Sequence, residues 1–156
     1  MRIDSIERFQ EIQTSLTAEA EKKTNMVLVC CGPGCLANGA AALLDAFREC
    51  LDGEGDGRTT PLLKGTGCHG LCSAGPMVIL EPKGILYSQV KPSQAGQIVD
   101  KTIKNGEIIE KLLYKEPGNG RAYENWRDIP FYKGQMRVSM RNLGKIDPLQ
   151  TLNQTS

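Results

Sequence analysis

Five of the chain's six cysteines fall in two short glycine-rich stretches, CCGPGC at 30 to 35 and GTGCHGLCSAGP at 65 to 76. Any fold for this chain must carry two loops dense in thiols and in flexible backbone, and bring them somewhere useful. At 156 residues it can bury one core of ordinary size and carry extensions, but not two full domains. The N-terminus, MRIDSIERFQEIQ, is amphipathic and charged where a secretory signal is apolar, and no stretch has the length of an apolar membrane span. The expectation is a soluble, cytoplasmic chain with no direct membrane insertion. In that reducing compartment structural disulfides are disfavoured, so clustered cysteines point to metal ligands or redox thiols. Lys and Arg total 19 against 18 for Asp and Glu. The balance gives no global field to draw the protein to nucleic acid or a membrane surface.

The apolar pattern predicts the element order. Ile3, Ile6, Phe9, Ile12 and Leu16 stand at helical spacing, with Asp4 and Glu7 related as in a capping box. MVLVC (26 to 30) has strand length. Asn38 is placed to cap the next segment, where Ala40, Leu43, Leu44, Phe47 and Leu51 form one apolar stripe. After the loop DGEGDGR, TTPLL (59 to 63) reads as a second strand, at an edge because of Pro61. MVIL (77 to 80) and ILYSQV (85 to 90) flank EPKG as a hairpin. A final helix from Pro92 buries Ala95, Ile98, Val99 and Ile103 and stops at Asn105 and Gly106. The order is α, then β-α-β, then β-β-α.

That order places the cysteines. If the two strands of the β-α-β unit are parallel, both end on one edge of the sheet. Cys30 and Cys35 then meet Cys68 and Cys72 at that rim, across 32 intervening residues. Four thiolates suit a structural zinc ion, and the spacing leaves zinc open as the basis of a binding or scaffold module. A thiol redox site would use C-x-x-C at a helix start, and the sequence has none. An iron-sulfur cluster takes four thiolates and a surround of backbone N–H groups. Gly32, Gly34, Gly65, Gly67 and Gly70 allow the backbone to come close to sulfur, which favours the cluster.

VCCGPGCLANGA followed by KGTGCHGLCSAGPMVILEPKGILYSQVKPSQAGQIV resembles the thioredoxin-like [2Fe-2S] ferredoxin domain. That domain occurs as the small subunit beside a flavoprotein, and as the N-terminal extension of the flavoprotein subunit itself, in NADH dehydrogenases, NAD(P)-linked hydrogenases and formate dehydrogenases. The family pattern, C-x4-C followed by C-x3-C, maps onto Cys30, Cys35, Cys68 and Cys72. The resemblance implies an α/β fold with a thioredoxin-like sheet of about four strands, built from the parallel β-α-β pair, the hairpin and the C-terminal helix. It divides the chain into an N-terminal helical extension (1–24), the ferredoxin domain (25–115) and a connector or docking tail (116–156). IPFYKGQMRVSMRNLGKIDP (129 to 148) is similar to the lead-in to a flavin domain, with Leu143 where the family often has cysteine. The function implied is one-electron transfer through a [2Fe-2S] cluster. FMN and NAD(P)H are expected only on a partner flavoprotein or missing domain, with other iron-sulfur subunits as further partners. Self-association is left open.

The other candidates have plainer readings. Cys31 offers an alternative pair with Cys35, but the family pattern selects Cys30. Cys50 lies seven residues after Leu43 on the helix stripe and reads as a core thiol. His69, the only histidine, reads as a neighbour of the ligands or a solvent-facing group, not a ligand. Four of the eight aromatic residues, Tyr123, Trp126, Phe131 and Tyr132, crowd into the tail. They form either a satellite core against the domain or an interface. Lys133, Arg137, Arg141 and Lys145 make a basic stripe if the segment is helical.

Overall fold

The strand Met26–Cys30 (β1) is buried along all but its first residue, the pattern of a strand with neighbours on both sides. In the computed structural model, which describes residues 5–10, 14, 25–52, 60–136 and 138, those neighbours are β2 (Leu62–Thr66) and β3 (Val78–Glu81). β1 and β2 run parallel, with Met26 opposite Leu62 and Cys30 opposite Thr66. β3 pairs antiparallel with β1 and turns through Pro82, Lys83 and Gly84 into β4 (Ile85–Tyr87), which completes a four-stranded sheet of order β2-β1-β3-β4. Gly84 takes φ +69° at this turn.

Between β1 and β2 the chain forms a short helix, α1 (Pro33–Ala37), and a longer one, α2 (Ala40–Asp52). The predicted stripe is buried in full: Ala40, Leu43, Leu44, Phe47 and Leu51 pack against the sheet and the C-terminal helix. Asn38, expected to open α2, instead closes α1. Its backbone N–H donates to Gly34 and Cys35 carbonyls, its Nδ2 donates to the Gly34 carbonyl at 2.9 Å, and Gly39 at φ +92° turns the chain into α2. β2 lies downstream of its predicted place because Pro61 cannot donate to a ladder and stands just before the strand. Its edge position is as expected.

The final helix also starts and stops as predicted, but not as one regular coil. A 3-10 turn at Pro92–Gln94 leads into α3 (Ala95–Ile98), which widens to a π-helix over Val99–Lys104 before Gly106 at φ +73°. Ala95, Ile98 and Val99 are buried and Ile103 is half-buried. At the N-terminus residues 6–10 are helical, and the Ser5 hydroxyl takes the cap by accepting the Arg8 N–H at 3.1 Å. Ile6 is 73% exposed and Phe9 is exposed too, so this turn does not bury its apolar face as the spacing suggested. Ile3, Asp4, Ile12 and Leu16 lie outside the described residues.

Beyond Gly106 the chain folds back on the sheet. A two-stranded ribbon, β5 (Tyr114–Lys115) with β6 (Ala122–Tyr123), is followed by a 3-10 turn and a last short helix, α4 (Pro130–Lys133). Ile109, Leu112, Leu113, Tyr114, Tyr123, Ile129 and Tyr132 belong to the same buried cluster as the sheet. Polar contacts stitch this segment to the hairpin. The Trp126 backbone N–H donates to Gly84, its indole N–H to Glu81 at 3.1 Å, and Arg127 forms a two-pronged ion pair with Glu81 while lying over the Trp126 ring. Among the described residues no helix is long and apolar enough to cross a membrane.

One buried polar group joins the sheet to both following segments. The Tyr87 hydroxyl sits 2.8 Å from Thr102 Oγ1 and accepts the Ile109 N–H at 3.0 Å. Replacing Tyr87 by Phe strands both partners in the core and is expected to cost about 1–3 kcal/mol. The measurement is the denaturant midpoint at unchanged m-value; an unshifted midpoint would show that the two groups find other partners.

Candidate metal centre

The parallel β1/β2 pair does what the order of elements required: both cysteine loops leave the same end of the sheet. Cys30 closes β1, and the loop turns at once into α1, which carries Cys35 on its inner face. Cys68 follows two residues after the end of β2, and Cys72 opens a short 3-10 turn. The register sets Thr66 beside Cys30, and the Cys31 N–H donates to the Thr66 carbonyl at 2.7 Å, closing the two loops on each other.

The four predicted residues come together. Cys30 lies close enough to Cys35 and Cys68 for their ionisations to be linked, its thiol points at the Gly67 carbonyl at 3.7 Å, and Cys68 and Cys72 lie Sγ to Sγ at 3.6 Å. Cys30 and Cys35 are each 1% exposed, Cys68 is half-buried and Cys72 is open to solvent. As free thiols they do not ionise alike. A hydrogen bond that Cys35 can give to the Cys30 thiolate brings Cys30 down to about 6 against the opposing effect of burial, helped by N–H groups of Gly32 and His69. The same bond, then burial, pushes Cys35 far above the thiol range, and burial foremost raises Cys68. Binding a cation to all four requires the remaining protons to leave.

Glycine makes the closeness possible. A Cβ on Gly32 would lie 2.7 Å from the Cys68 Cβ, and one on Gly75 would lie 2.6 Å from the Cys35 sulfur. Gly34 is in looser contact with Cys72. Backbone donors fill the same space: the Gly70 N–H points at the Cys68 sulfur at 3.3 Å. Among the described residues no three or more Cys, His, Asp and Glu side chains form a preformed site for one metal ion. A binuclear group asks instead for thiolates in pairs, and Cys30 with Cys35 and Cys68 with Cys72 supply two. Four thiols, glycine backbone at the sulfurs and inward N–H groups fit such a group.

The remaining candidates resolve differently. Cys31 stands just past the end of β1 and turns its sulfur to the Val29 carbonyl at 3.6 Å. Cys50 is half-buried beside Gly96, not fully in the core. His69 is 6% exposed, so it is not solvent-facing; its Nε2 meets Thr66 Oγ1 at 3.0 Å. The aromatic tail is mostly satellite core: Tyr123 and Tyr132 are buried and Trp126 half-buried, while Phe131 stays 42% exposed. Lys133 is exposed and pairs with Asp128; Arg137, Arg141, Leu143 and Lys145 lie outside the described residues. Gly65, Gly67 and Gly70 have the spacing G-x-G-x-x-G found in dinucleotide-binding loops. There β2 runs into the cysteine loop and a three-residue 3-10 turn, without the helix whose N-terminus receives a pyrophosphate. Sequence reading did not single out Gly75 or the Thr66–His69 pair; the GP dipeptide and the threonine beside a lone histidine were the available signals.

Comparison with known proteins gives the family. The family model for thioredoxin-like [2Fe-2S] ferredoxin matches residues 11–103. A 2Fe-2S ferredoxin of Aquifex aeolicus is 36% identical over 87 residues, which cover 54% of this chain and 78% of that protein. One of Clostridium pasteurianum is 33% identical over 78 residues, covering 50% and 76%. The solved thioredoxin-like [2Fe-2S] ferredoxin from Aquifex aeolicus superposes with a TM-score of 0.55 at 29% identity, covering 65% of this chain and 99% of that one. Matched by the family model over more than half its length, the chain belongs to the thioredoxin-like [2Fe-2S] ferredoxins, a family whose cluster implies electron transfer.

Proposed function

We propose that the protein carries single electrons on a [2Fe-2S] cluster held by Cys30, Cys35, Cys68 and Cys72, as a domain or subunit of an NAD(P)H-linked oxidoreductase complex. The observation that carries this reading is the meeting of those four thiols at one sheet edge, with glycines where any side chain would strike a sulfur or its neighbour. When bound, the cluster supplies a reversible one-electron couple. The chain's work is to hold, tune and expose it. Cys30 and Cys35 grip from the buried side and Cys68 and Cys72 from the solvent side. N–H groups of Gly32, His69 and Gly70 offset the negative charge of the sulfurs. The open side at Cys72 brings the site within reach of a redox partner.

No acid–base pair or activated nucleophile is read in the chain, so hydride chemistry belongs to a flavoprotein carrying FMN and binding NAD(P)H. Other iron-sulfur subunits of the hydrogenase, formate dehydrogenase or NADH dehydrogenase kind would take the electrons onward. Support for that setting is the segment at 129 to 148, similar to the lead-in of a flavin domain.

The test is iron, zinc and acid-labile sulfide analysis of anaerobically purified protein, with paramagnetic resonance spectra before and after dithionite. Two irons, two sulfides and a rhombic signal only on reduction are expected. Stoichiometric zinc without sulfide, persisting after attempted iron reconstitution, would replace the electron carrier with a structural zinc module. Cys35→Ser and Cys72→Ser should abolish or strongly alter the cluster spectrum while Cys31→Ser and Cys50→Ser leave it unchanged; an intact spectrum in both ligand variants would move the site. Gly32→Ala should fold but hold well under half the wild-type iron, read as iron per chain at unchanged far-ultraviolet circular dichroism. Full occupancy would show that the loops can part to admit a methyl group. NADH added with an NADH dehydrogenase-type flavoprotein subunit should reduce the cluster within minutes. Reduction by dithionite but not by that pair would argue for a free-standing carrier.

A further inference from the structure

The loop that carries Cys68 is tied to α4, more than sixty residues downstream and outside the segment that the family model matches. The Tyr132 hydroxyl donates to the His69 carbonyl at 3.1 Å, in a buried bond. That carbonyl belongs to the same peptide unit as the Gly70 N–H, which donates to the Cys68 sulfur at 3.3 Å. In a trans peptide the C=O and N–H point in opposite directions, so fixing one end aims the other. We propose that Tyr132 is a positioning residue for the cluster site: its hydroxyl locks the 69–70 peptide so that the Gly70 N–H stays on the Cys68 sulfur.

This peptide needs an outside hold. Gly70 sits at φ +94°, where a glycine rotates with no Cβ to resist it. The His69 side chain is fixed separately, with Nε2 at 3.0 Å from Thr66 Oγ1, which in turn donates to the Val29 carbonyl. The residue is pinned by its ring while its peptide is pinned by Tyr132. Tyr132 is itself held rigidly. Ile129 is buried, Pro130 starts the helix, and the Tyr132 ring makes edge-on contacts with Trp126 at 5.3 Å and Phe131 at 5.1 Å. The Phe131 ring lies over Gly70, 3.2 Å from where a Cβ would stand, and closes the loop from outside.

A carbonyl that accepts a hydrogen bond makes the N–H of its own peptide a stronger donor. Donors to a ligand sulfur stabilise the state with the extra electron and so raise the potential. The inference rests on Cys68 being a ligand. The experiment is a redox titration of wild type and Tyr132→Phe, followed by paramagnetic resonance, with iron and sulfide measured on both. Unchanged cluster content, a lower midpoint potential and shifted g-values are expected for the variant. Identical potential and g-values on a full cluster would overturn the proposal. Should Tyr132→Phe fail to load, 3-fluorotyrosine at position 132 keeps the ring and makes its hydroxyl a stronger donor. The potential must then rise, and an unchanged value overturns the proposal equally. The ligand reading fails by a different sign, a Cys68→Ser variant whose cluster spectrum matches wild type.

Discussion

The meeting of the four cysteines depends on β1 and β2 running the same way. Had they been antiparallel, the loops after them would have left opposite ends of the sheet, and the two thiol pairs would have been about a strand length apart, roughly 17 Å. Parallel pairing requires a crossover, and α2 provides it with a stripe that fills the space over the sheet. The ladder then fixes the depth of each loop: Thr66 stands opposite Cys30, so Cys68 arrives two residues beyond the rim. The core under the sheet and the chemistry above it are set by one register. Shifting that register by a single residue would turn the side chains of β2 to the other face.

Much of this was legible because it is written in local pattern. The α2 stripe, the hairpin around EPKG and the stop at Asn105 and Gly106 all follow from periodicity and turn chemistry. The placing of both cysteine loops at one edge was legible because strand order confines them there. What escaped was decided by competition between neighbours. Pro61 was placed inside β2, but with no N–H to give it stands before the strand, and the ladder begins at Leu62. Asn38 has the chemistry to cap either flanking helix, and the nearer carbonyl of Gly34 won it. Cys31 stood beside Cys30 as an alternative that the family pattern set aside, and its sulfur turns to the Val29 carbonyl just past the strand end. The widening of the last helix into a π-turn has no sequence signal that we identify.

The aromatic residues of the tail posed a choice between core and interface, and the described part resolves it by distance from the sheet. Tyr123, Ile129 and Tyr132 continue the main core, and Trp126 and Arg127 converge on Glu81 at the hairpin. Only Phe131 of the four aromatics keeps a large exposed face. This layering explains how a short helix of four residues can be placed firmly: propensity contributes little at that length, and the buried anchors on either side do the positioning.

The glycines against the cysteines also limit how the sequence can change. At Gly39, Gly118 and Gly120 a side chain would enter open space, and the only barrier is the left-handed backbone, which asparagine tolerates best. At Gly32 and Gly75 the barrier is the first carbon itself, because every other residue carries one and it would fall on Cys68 or on the Cys35 sulfur. Single exchanges there have no gentle version. Drift in these loops is channelled into positions such as Leu36, whose side chain is directed outward, while any residue but glycine at 32 or 75 requires the facing loop to move.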